Sequence, residues 1–390
     1  MTEASNGKPL RVLIVAETYP PEINGAAIAA ERLAHGLLER GHAVRVIAPR
    51  SSAGPSHTLT DSAGMTVHQV RSHSVPTHDS FRICYSWEIR GTIREVLDEF
   101  RPDVVHSQSH FAICATAMKE ARRRGIRVVS TNHFLPANMM PFLPFPSGVK
   151  RVVAAGLWRD MNRKLSKADA LTTPTPRSVD EMVRNGISNH VRAVSNGIDM
   201  RKYALREGEQ IPQPERPVAL FVGRLAQEKH VDELIRAAAF ASDVEFDVEI
   251  VGGGEQRPKL EALAESLGVA DRVRFLGAVT DEELREAYLR CTFFCLPSTA
   301  DLQSLATLEA LASSKPVVLA NALALPHLVH EGVNGYLFEP GDVPQLSEKI
   351  RALLSLSPEQ LEQMGRESHA MAEKHSFERS LDIFEECYRG

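Results

Sequence analysis

The chain has 390 residues, 43% of them apolar and 24% charged, a globular composition that excludes extended disorder and is long enough for two domains rather than one. Its net charge of −5 conceals an asymmetry: residues 1–200 carry 25 Lys+Arg against 18 Asp+Glu, and the remainder 20 against 32. A first half at +7 suits an anionic partner, with nucleic acid and a membrane surface as the usual candidates, although a merely uneven surface accounts for it equally well.

The run RVLIVAE (Arg11–Glu17) predicts a strand, the turn-rich TYPPEINGAA a loop, and the pattern from Ala27 to Arg40, closed by Gly41, a helix. With AVRVIAP next, this is the strand–helix–strand unit of a parallel sheet. The alternation continues through a helix over Ser86–Phe100, the strand DVVHSQ, a helix ending at Arg122-Arg123-Arg124-Gly125, and the strand RVVSTNH. After Asn196-Gly197-Ile198-Asp199 the texture turns polar and proline-bearing in GEQIPQPERP, which marks a domain boundary.

The pattern then restarts with VALFVGR, a helix from Val231, DVEIVGGGE, a helix to Leu267, RVRFLG, a short helix, FFCLPS, a further helix and PVVLA. A last helix is predicted from Ser376 to Tyr388, with Leu381, Ile383, Phe384 and Tyr388 as its apolar positions. The expected organisation is an N-terminal Rossmann-like domain over 1–198, a second over 199–375, and a closing helix over 376–390 packed back toward the first. Both sheets should be open, parallel and doubly wound. No short repeat is present, which excludes solenoids and propellers.

Cys84, Cys114, Cys291, Cys295 and Cys387 form no CxxC pair and no zinc spacing, so they read as buried thiols of a reducing compartment. Met1–Lys8 lacks the apolar stretch of a signal peptide, and no apolar run approaches the roughly 20 residues of a membrane span. The expected location is cytoplasmic, or peripheral on the cytoplasmic face of a membrane.

Ligands of such sheets bind beyond the carboxyl ends of the strands, so four loops carry the functional reading. In Pro20-Pro21-Glu22-Ile23-Asn24-Gly25, Gly25 lets backbone N–H groups approach an anion, and a plain structural turn explains it about as well. Arg224 and Lys229, in GRLAQEK after VALFV, can converge on one diphosphate. Gly252-Gly253-Gly254-Glu255 is a weak signal alone, since a tight turn needs glycine anyway. In PSTADLQSLATLE, Asp301 and Glu309 flank a helix expected to begin near Ser304, whose N–H groups from Gln303 through Ser304, Leu305 and Ala306 offer an anion site. A phosphate flanked by two polyols describes a nucleotide-sugar.

These motifs together resemble glycosyltransferase family 4, with the GT-B fold of two Rossmann-like domains facing across a cleft, from residue 11 to the C-terminal helix. The resemblance implies that Arg224 and Lys229 hold the donor diphosphate, that Asp301 contacts the sugar and Glu309 the ribose, and that Gly25 corresponds to the family's first glycine loop. It also implies a catalytic role for His133 in Thr131-Asn132-His133, and donor contacts from Gly253, Val279, Gln303, Ser304 and Leu305. A structural histidine at the strand end is the plainer account of His133. Two departures stand out: Asp301 replaces the usual Glu, and Asn321-Ala322-Leu323-Ala324-Leu325-Pro326-His327 lacks the common Gly-Gly and has His327 where an acid is frequent.

The implied reaction is retaining and metal-free, with a nucleotide-diphosphate sugar of the UDP-glucose kind as donor substrate and no cofactor. The departing diphosphate helps deprotonate the acceptor, while Arg224, Lys229 and the helix N-terminus stabilise the charge that develops. For the acceptor, the apolar loop FLPANMMPFLPFP (Phe134–Pro146) beside Lys150, Arg151, Arg159, Arg163 and Lys164 suits an anionic membrane face, and an ordinary core helix is the competing account. The run Leu302-Gln303-Ser304-Leu305 resembles diacylglycerol glycosyltransferases, which implies a lipid acceptor and no nucleic-acid partner. A soluble polyol, aminocyclitol or glycan acceptor, a nucleotide-sugar epimerase and a non-catalytic binding module are the alternatives. An NAD-dependent oxidoreductase is disfavoured, because the first turn lacks G-x-G-x-x-G.

Overall fold

The computed structural model describes residues 8–22, 24–61, 63–75, 78–136, 145–187, 191–212, 214–241 and 243–390. The chain divides into two compact units, Met1–Asn196 with Ser380–Gly390, and Gly197–Arg379.

The first unit contains β1 (Arg11–Val15), β2 (Ala43–Pro49), β3 (His57–Thr60), β4 (Thr66–Val70), β5 (His73–Val75), β6 (His78–Ile83), β7 (Val104–Ser107), β8 (Arg127–Thr131), β9 (Ala170–Thr173) and β10 (Val191–Ala193). Eight of them form one sheet in the order β10-β9-β8-β7-β1-β2-β4-β3. Its pairings are parallel except β3 on β4, and β5 pairs antiparallel with β6 apart from the sheet. The expectation of a purely parallel sheet is thus corrected at one edge. β3 is the polar HTLT, largely exposed, and lacks the apolar run by which a buried parallel strand is recognised.

β1 is central because it is apolar on both faces: Val12, Leu13, Ile14 and Val15 are fully buried, each worth about 1.5–3 kcal/mol of transfer free energy. Leu13 and Val15 pack into a core with Ile89, Ile93 and Leu97 of the helix Ser86–Phe100 and with Ile113, Ala117 and Met118 of the helix Ala112–Arg123. The closing helix, Phe377–Arg389, buries Leu381, Phe384 and Tyr388. Arg40 Nη1 donates to Asp382 Oδ1 (2.7 Å) and Glu385 Oε1 (2.9 Å), which ties this helix to the end of the first helix, Gly25–Glu39.

The second unit holds β11 (Val218–Val222), β12 (Asp247–Val251), β13 (Val273–Gly277), β14 (Phe293–Leu296), β15 (Val317–Ala320) and β16 (Gly335–Phe338), all parallel, in the order β13-β12-β11-β14-β15-β16. In both sheets the first strand of the unit has later strands on either side. The chain order therefore reverses between β1 and β7 and between β11 and β14, which opens a crevice at their carboxyl ends.

Candidate functional site

In the second unit the reversal point is built by the loops after β11 and β14. Thr299 N donates to Glu228 O (3.1 Å), and Ala324 N to Asp301 O (3.4 Å), so the loops after β11, β14 and β15 are stitched together through their backbones. This brings Lys229 and Asp301 into contact across 72 residues: Lys229 Nζ lies 2.9 Å from Asp301 Oδ1 and 2.8 Å from Oδ2, with both side chains largely buried. Arg224 turns instead to Glu228 within its own loop, with Nη2 2.5 Å from Oε1, and remains half-exposed. The sequence reading brought the two cations together on a ligand and did not foresee that each is matched by a carboxylate.

The helix Leu305–Ala312 is capped by Ser304, whose Oγ accepts from Thr307 N (3.1 Å). Ser304 has extended backbone angles, so the helix begins one residue later than expected and Gln303 lies outside it, buried in the preceding bend. The N–H groups that point out of the helix end are those of its first turn, from Leu305 onward. Glu309 is buried one turn further on, and Tyr288 O–H donates to its Oε2 at 3.0 Å. Burial beside Glu309 pushes the Tyr288 phenol well above its ordinary range, which keeps it a donor.

The glycine run after β12 has a structural cause. A Cβ on Gly252 would stand 2.0 Å from Gly223 O, and one on Gly254 2.3 Å from Leu225 O; both residues also have positive φ. These glycines let two loop backbones touch, with Leu225 N donating to Gly253 O at 2.8 Å. Gly253 itself faces open space, so its side of the loop is where a ligand could approach. Val279 lies between β13 and the capping box of Thr280 and Glu283, half-buried.

In the first unit, His133 follows β8 and its Nε2 is 2.9 Å from Gln108 Oε1, the residue after β7. Burial holds the His133 imidazole down to about 4, so it is neutral at pH 7. His106 bridges Thr131 Oγ1 and Tyr388 O–H, each at 2.7 Å, and is held down to about 3 by burial and then by His133. Glu17, directly after β1, accepts Cys114 N–H (2.9 Å) near the start of the helix Ala112–Arg123, and burial raises it to about 7. Gly25 opens the helix Gly25–Glu39 behind Asn24, whose Oδ1 accepts from Ala27 N (2.9 Å); it is exposed and nothing lies where a side chain would stand. Ile23 and 137–144 of the proline-rich loop lie outside the described residues.

Gln108, Glu17, Tyr288 and Thr299 were not singled out from the sequence. Gln108 directly follows β7, and Thr299 stands in the loop after β14, beyond Pro297 and Ser298, so their place at a strand's carboxyl end was a usable signal. The contacts of Glu17 and Tyr288 are set by packing across distant segments. His327, the departure noted after β15, is half-buried, with Nδ1 against Ala324 O and its ring 5.8 Å from that of His375. Among the described residues no group of three His, Cys, Asp or Glu side chains is arranged to hold a metal ion. No helix among them is long and apolar enough to cross a membrane.

Two reversal-point sheets, one with paired cations and carboxylates on its strand-end loops, define a glycosyltransferase of the GT-B fold. Residues 23–202 match the family model Glycosyltransferase Family 4 and residues 206–371 that of Glycosyl transferases group 1. The chain belongs to glycosyltransferase family 4. It is 28% identical over 345 residues to a GDP-mannose-dependent alpha-mannosyltransferase of Corynebacterium glutamicum, covering 86% of this chain and 78% of that one. An alpha-monoglucosyldiacylglycerol synthase of Acholeplasma laidlawii is 24% identical, over 85% of this chain and 86% of its own. Among solved structures, sucrose-phosphate synthase from Thermosynechococcus elongatus superposes with a TM-score of 0.77 at 16% identity, covering 97% of this chain and 98% of that one. Anabaena HepE in complex with UDP-glucose gives 0.72 at 20%, covering 97% and 98%.

Proposed function

We propose that this glycosyltransferase moves a hexose, with retention and without a metal, from a UDP-glucose-type donor to a hydroxyl of a membrane lipid such as diacylglycerol. The observation that carries the donor side is the stitched pair of loops after β11 and β14, which gathers Arg224, Lys229, Asp301 and the N-terminus of the helix Leu305–Ala312. In this reading Arg224 and Lys229 exchange their carboxylate partners for diphosphate oxygens, and Asp301, released from Lys229, accepts from sugar hydroxyls. Glu309, oriented by Tyr288, takes the ribose. Two cations and a helix end stabilise the leaving diphosphate, which leaves no step that requires a metal. His133 is neutral and its single N–H, on Nε2, is taken by Gln108 Oε1, so it serves as an orienting group that presents Nδ1 as an acceptor rather than as a cation. A UDP-glucose complex of a structural neighbour supports the donor class.

For the acceptor, the helix Ser147–Leu165 buries only Trp158, Met161 and Leu165, which argues against an ordinary core helix. Its first half leaves Val149 and Val152 exposed beside the exposed Arg151, just after the exposed Phe145, a mixture suited to an anionic bilayer face. The relative named as a monoglucosyldiacylglycerol synthase supports the same reading. Incubation with UDP-, GDP- and ADP-sugars and diacylglycerol vesicles, followed by NMR of the product, tests it. An α-glycosyl lipid formed from UDP-glucose in the presence of EDTA is expected; turnover that needs added magnesium or manganese, or transfer to soluble polyols alone, contradicts it.

A further inference from the structure

The first unit also holds a basic pocket that the donor residues do not use. The helices Ser86–Phe100, Ala112–Arg123 and Ser147–Leu165 border an open cavity of about 520 Å³. Arg90, Lys119, Arg163, Lys164 and Lys167 line it against a single carboxylate, Glu120. That carboxylate is already saturated: Arg90 (2.8 Å), Arg94 (3.0 Å), Arg123 (2.7 Å) and Arg124 (3.3 Å) all reach it. Asp160 serves both Arg163 (2.8 Å) and Lys164 (2.6 Å). Lys119 and Lys167 have no carboxylate partner among the described residues. The cavity thus keeps a surplus of positive charge after every ion pair is counted.

An exposed run of lysines is ordinarily a solvated face, but three features distinguish this one. The charges come from three helices and from the turn after the last of them, which carries Lys167, and converge on one concave space of ligand size. Their number exceeds what the local acids neutralise. At the rim, Trp87 is 75% exposed although its ring stacks on Tyr85 with centroids 4.7 Å apart, so a large aromatic face stays open beside the cations.

We propose that this pocket is an anion site for a phosphate-bearing ligand, with Lys119 and Lys167 as its principal contacts and Trp87 against the ligand's organic part. A phosphate carries enough charge and enough acceptor oxygens to engage several of these donors at once. It reaches the pocket either on a soluble phosphorylated molecule or as the headgroup of an anionic phospholipid, the tryptophan in the second case sitting at the bilayer interface.

The test uses the full chain with two probes: glycerol 3-phosphate followed by calorimetry, and vesicles of phosphatidylcholine with or without phosphatidylglycerol followed by co-sedimentation. Wild type, Lys119→Glu with Lys167→Glu, Trp87→Ala and Arg224→Ala are compared, after circular dichroism shows that each is folded. Saturable binding of at least one probe is expected, weakened about tenfold or more by the double charge reversal and unaffected by Arg224→Ala, which touches only the second unit. Binding of glycerol 3-phosphate identifies a soluble ligand. Binding of phosphatidylglycerol vesicles alone, reduced also by Trp87→Ala, identifies a headgroup. If the double lysine variant misfolds, Lys119→Gln with Lys167→Gln replaces it. The proposal is overturned if neither probe binds, or if wild type and lysine variant bind equally, in which case loss of vesicle binding in Arg151→Gln assigns the contact to the exposed face of the helix Ser147–Leu165.

Discussion

Lys229 donates to both carboxylate oxygens of Asp301, at 2.9 and 2.8 Å, so the residue proposed to meet the donor diphosphate and the residue proposed to meet its sugar hold one another. An ammonium has three donors, and two of them are committed here. In the proposed function, donor binding exchanges this ion pair for a contact of Lys229 with the diphosphate and a hydrogen bond from the sugar to Asp301, one at each end of the glycosyl-phosphate bond.

Asp301→Asn follows directly. It frees Lys229 for a diphosphate while weakening the grip on the sugar, so affinity for free nucleoside diphosphate holds or rises by up to about tenfold, and turnover falls. Calorimetry beside initial rates separates the two effects. A weaker affinity for the diphosphate would assign Asp301 to the nucleotide rather than to the sugar.

Tyr288 and Glu309 give a graded pair. If Glu309 holds the ribose as proposed, removing its carboxylate costs about 1.5–3 kcal/mol for a charge-assisted hydrogen bond, whereas Tyr288→Phe removes only the O–H that orients it, at about 1 kcal/mol. Glu309→Ala should therefore weaken nucleoside diphosphate binding more than Tyr288→Phe. The reverse order, or no effect of either, removes the ribose role.

The glycine run separates structure from contact within three residues. Gly252→Ala drives a Cβ to 2.0 Å from Gly223 O at φ +121°, and thermal denaturation should show a loss of more than about 2 kcal/mol. Gly253→Ala, facing open space, should melt with wild type, and any change it causes is then in donor affinity. Equal melting of both variants would contradict the backbone contact.

His106 is held down to about 3, and His110 and His133 to about 4, in each case chiefly by burial. These folded values lie below the ordinary 6.5, so the unfolded chain binds more protons between about 4 and 6.5, and stability is lost as pH falls through that window. The slope is at most about 1.4 kcal/mol per pH unit for each histidine. Glu17, raised to about 7, and Glu22 and Glu233, also raised by burial, act in the opposite sense, but His68, His327 and His375 are lowered by burial as well and add to the three histidines named. The melting temperature should drop on acidification from pH 6.5 to pH 4. A flat or rising profile would show these histidines to be solvated.

Much of this was legible in the sequence where an element is marked by its own residues. β2 and the helix Ser86–Phe100 have the bounds that apolar runs and periodicity predict, and the strand-end loops stand out by composition. β3, the three-residue β10 and the hairpin of β5 and β6 were not found, because they are short and their stability comes from a neighbouring strand rather than from an apolar run. Within the site, residue types were readable but partners were not. Lys229 to Asp301 spans 72 residues and Tyr288 to Glu309 spans 21, and both depend on how strands β11 and β14 are neighboured in the sheet. The glycine run was a weak signal that a tight turn explains, and the backbone contacts at Gly252 and Gly254 supply that structural reason.

The proposed function rests on the loops after β11 and β14 binding the donor diphosphate. Calorimetric titration of UDP into wild type and into Arg224→Ala with Lys229→Ala, without added metal, tests it most directly. Loss of two charge-assisted contacts should weaken binding by at least about tenfold; Arg224→Ala costs little stability because Arg224 is half-exposed, whereas Lys229→Ala leaves the largely buried Asp301 without its ammonium and lowers the melting temperature, so the titration is run well below it. UDP affinity that is the same in both proteins, in a variant that remains folded, would place the donor diphosphate elsewhere.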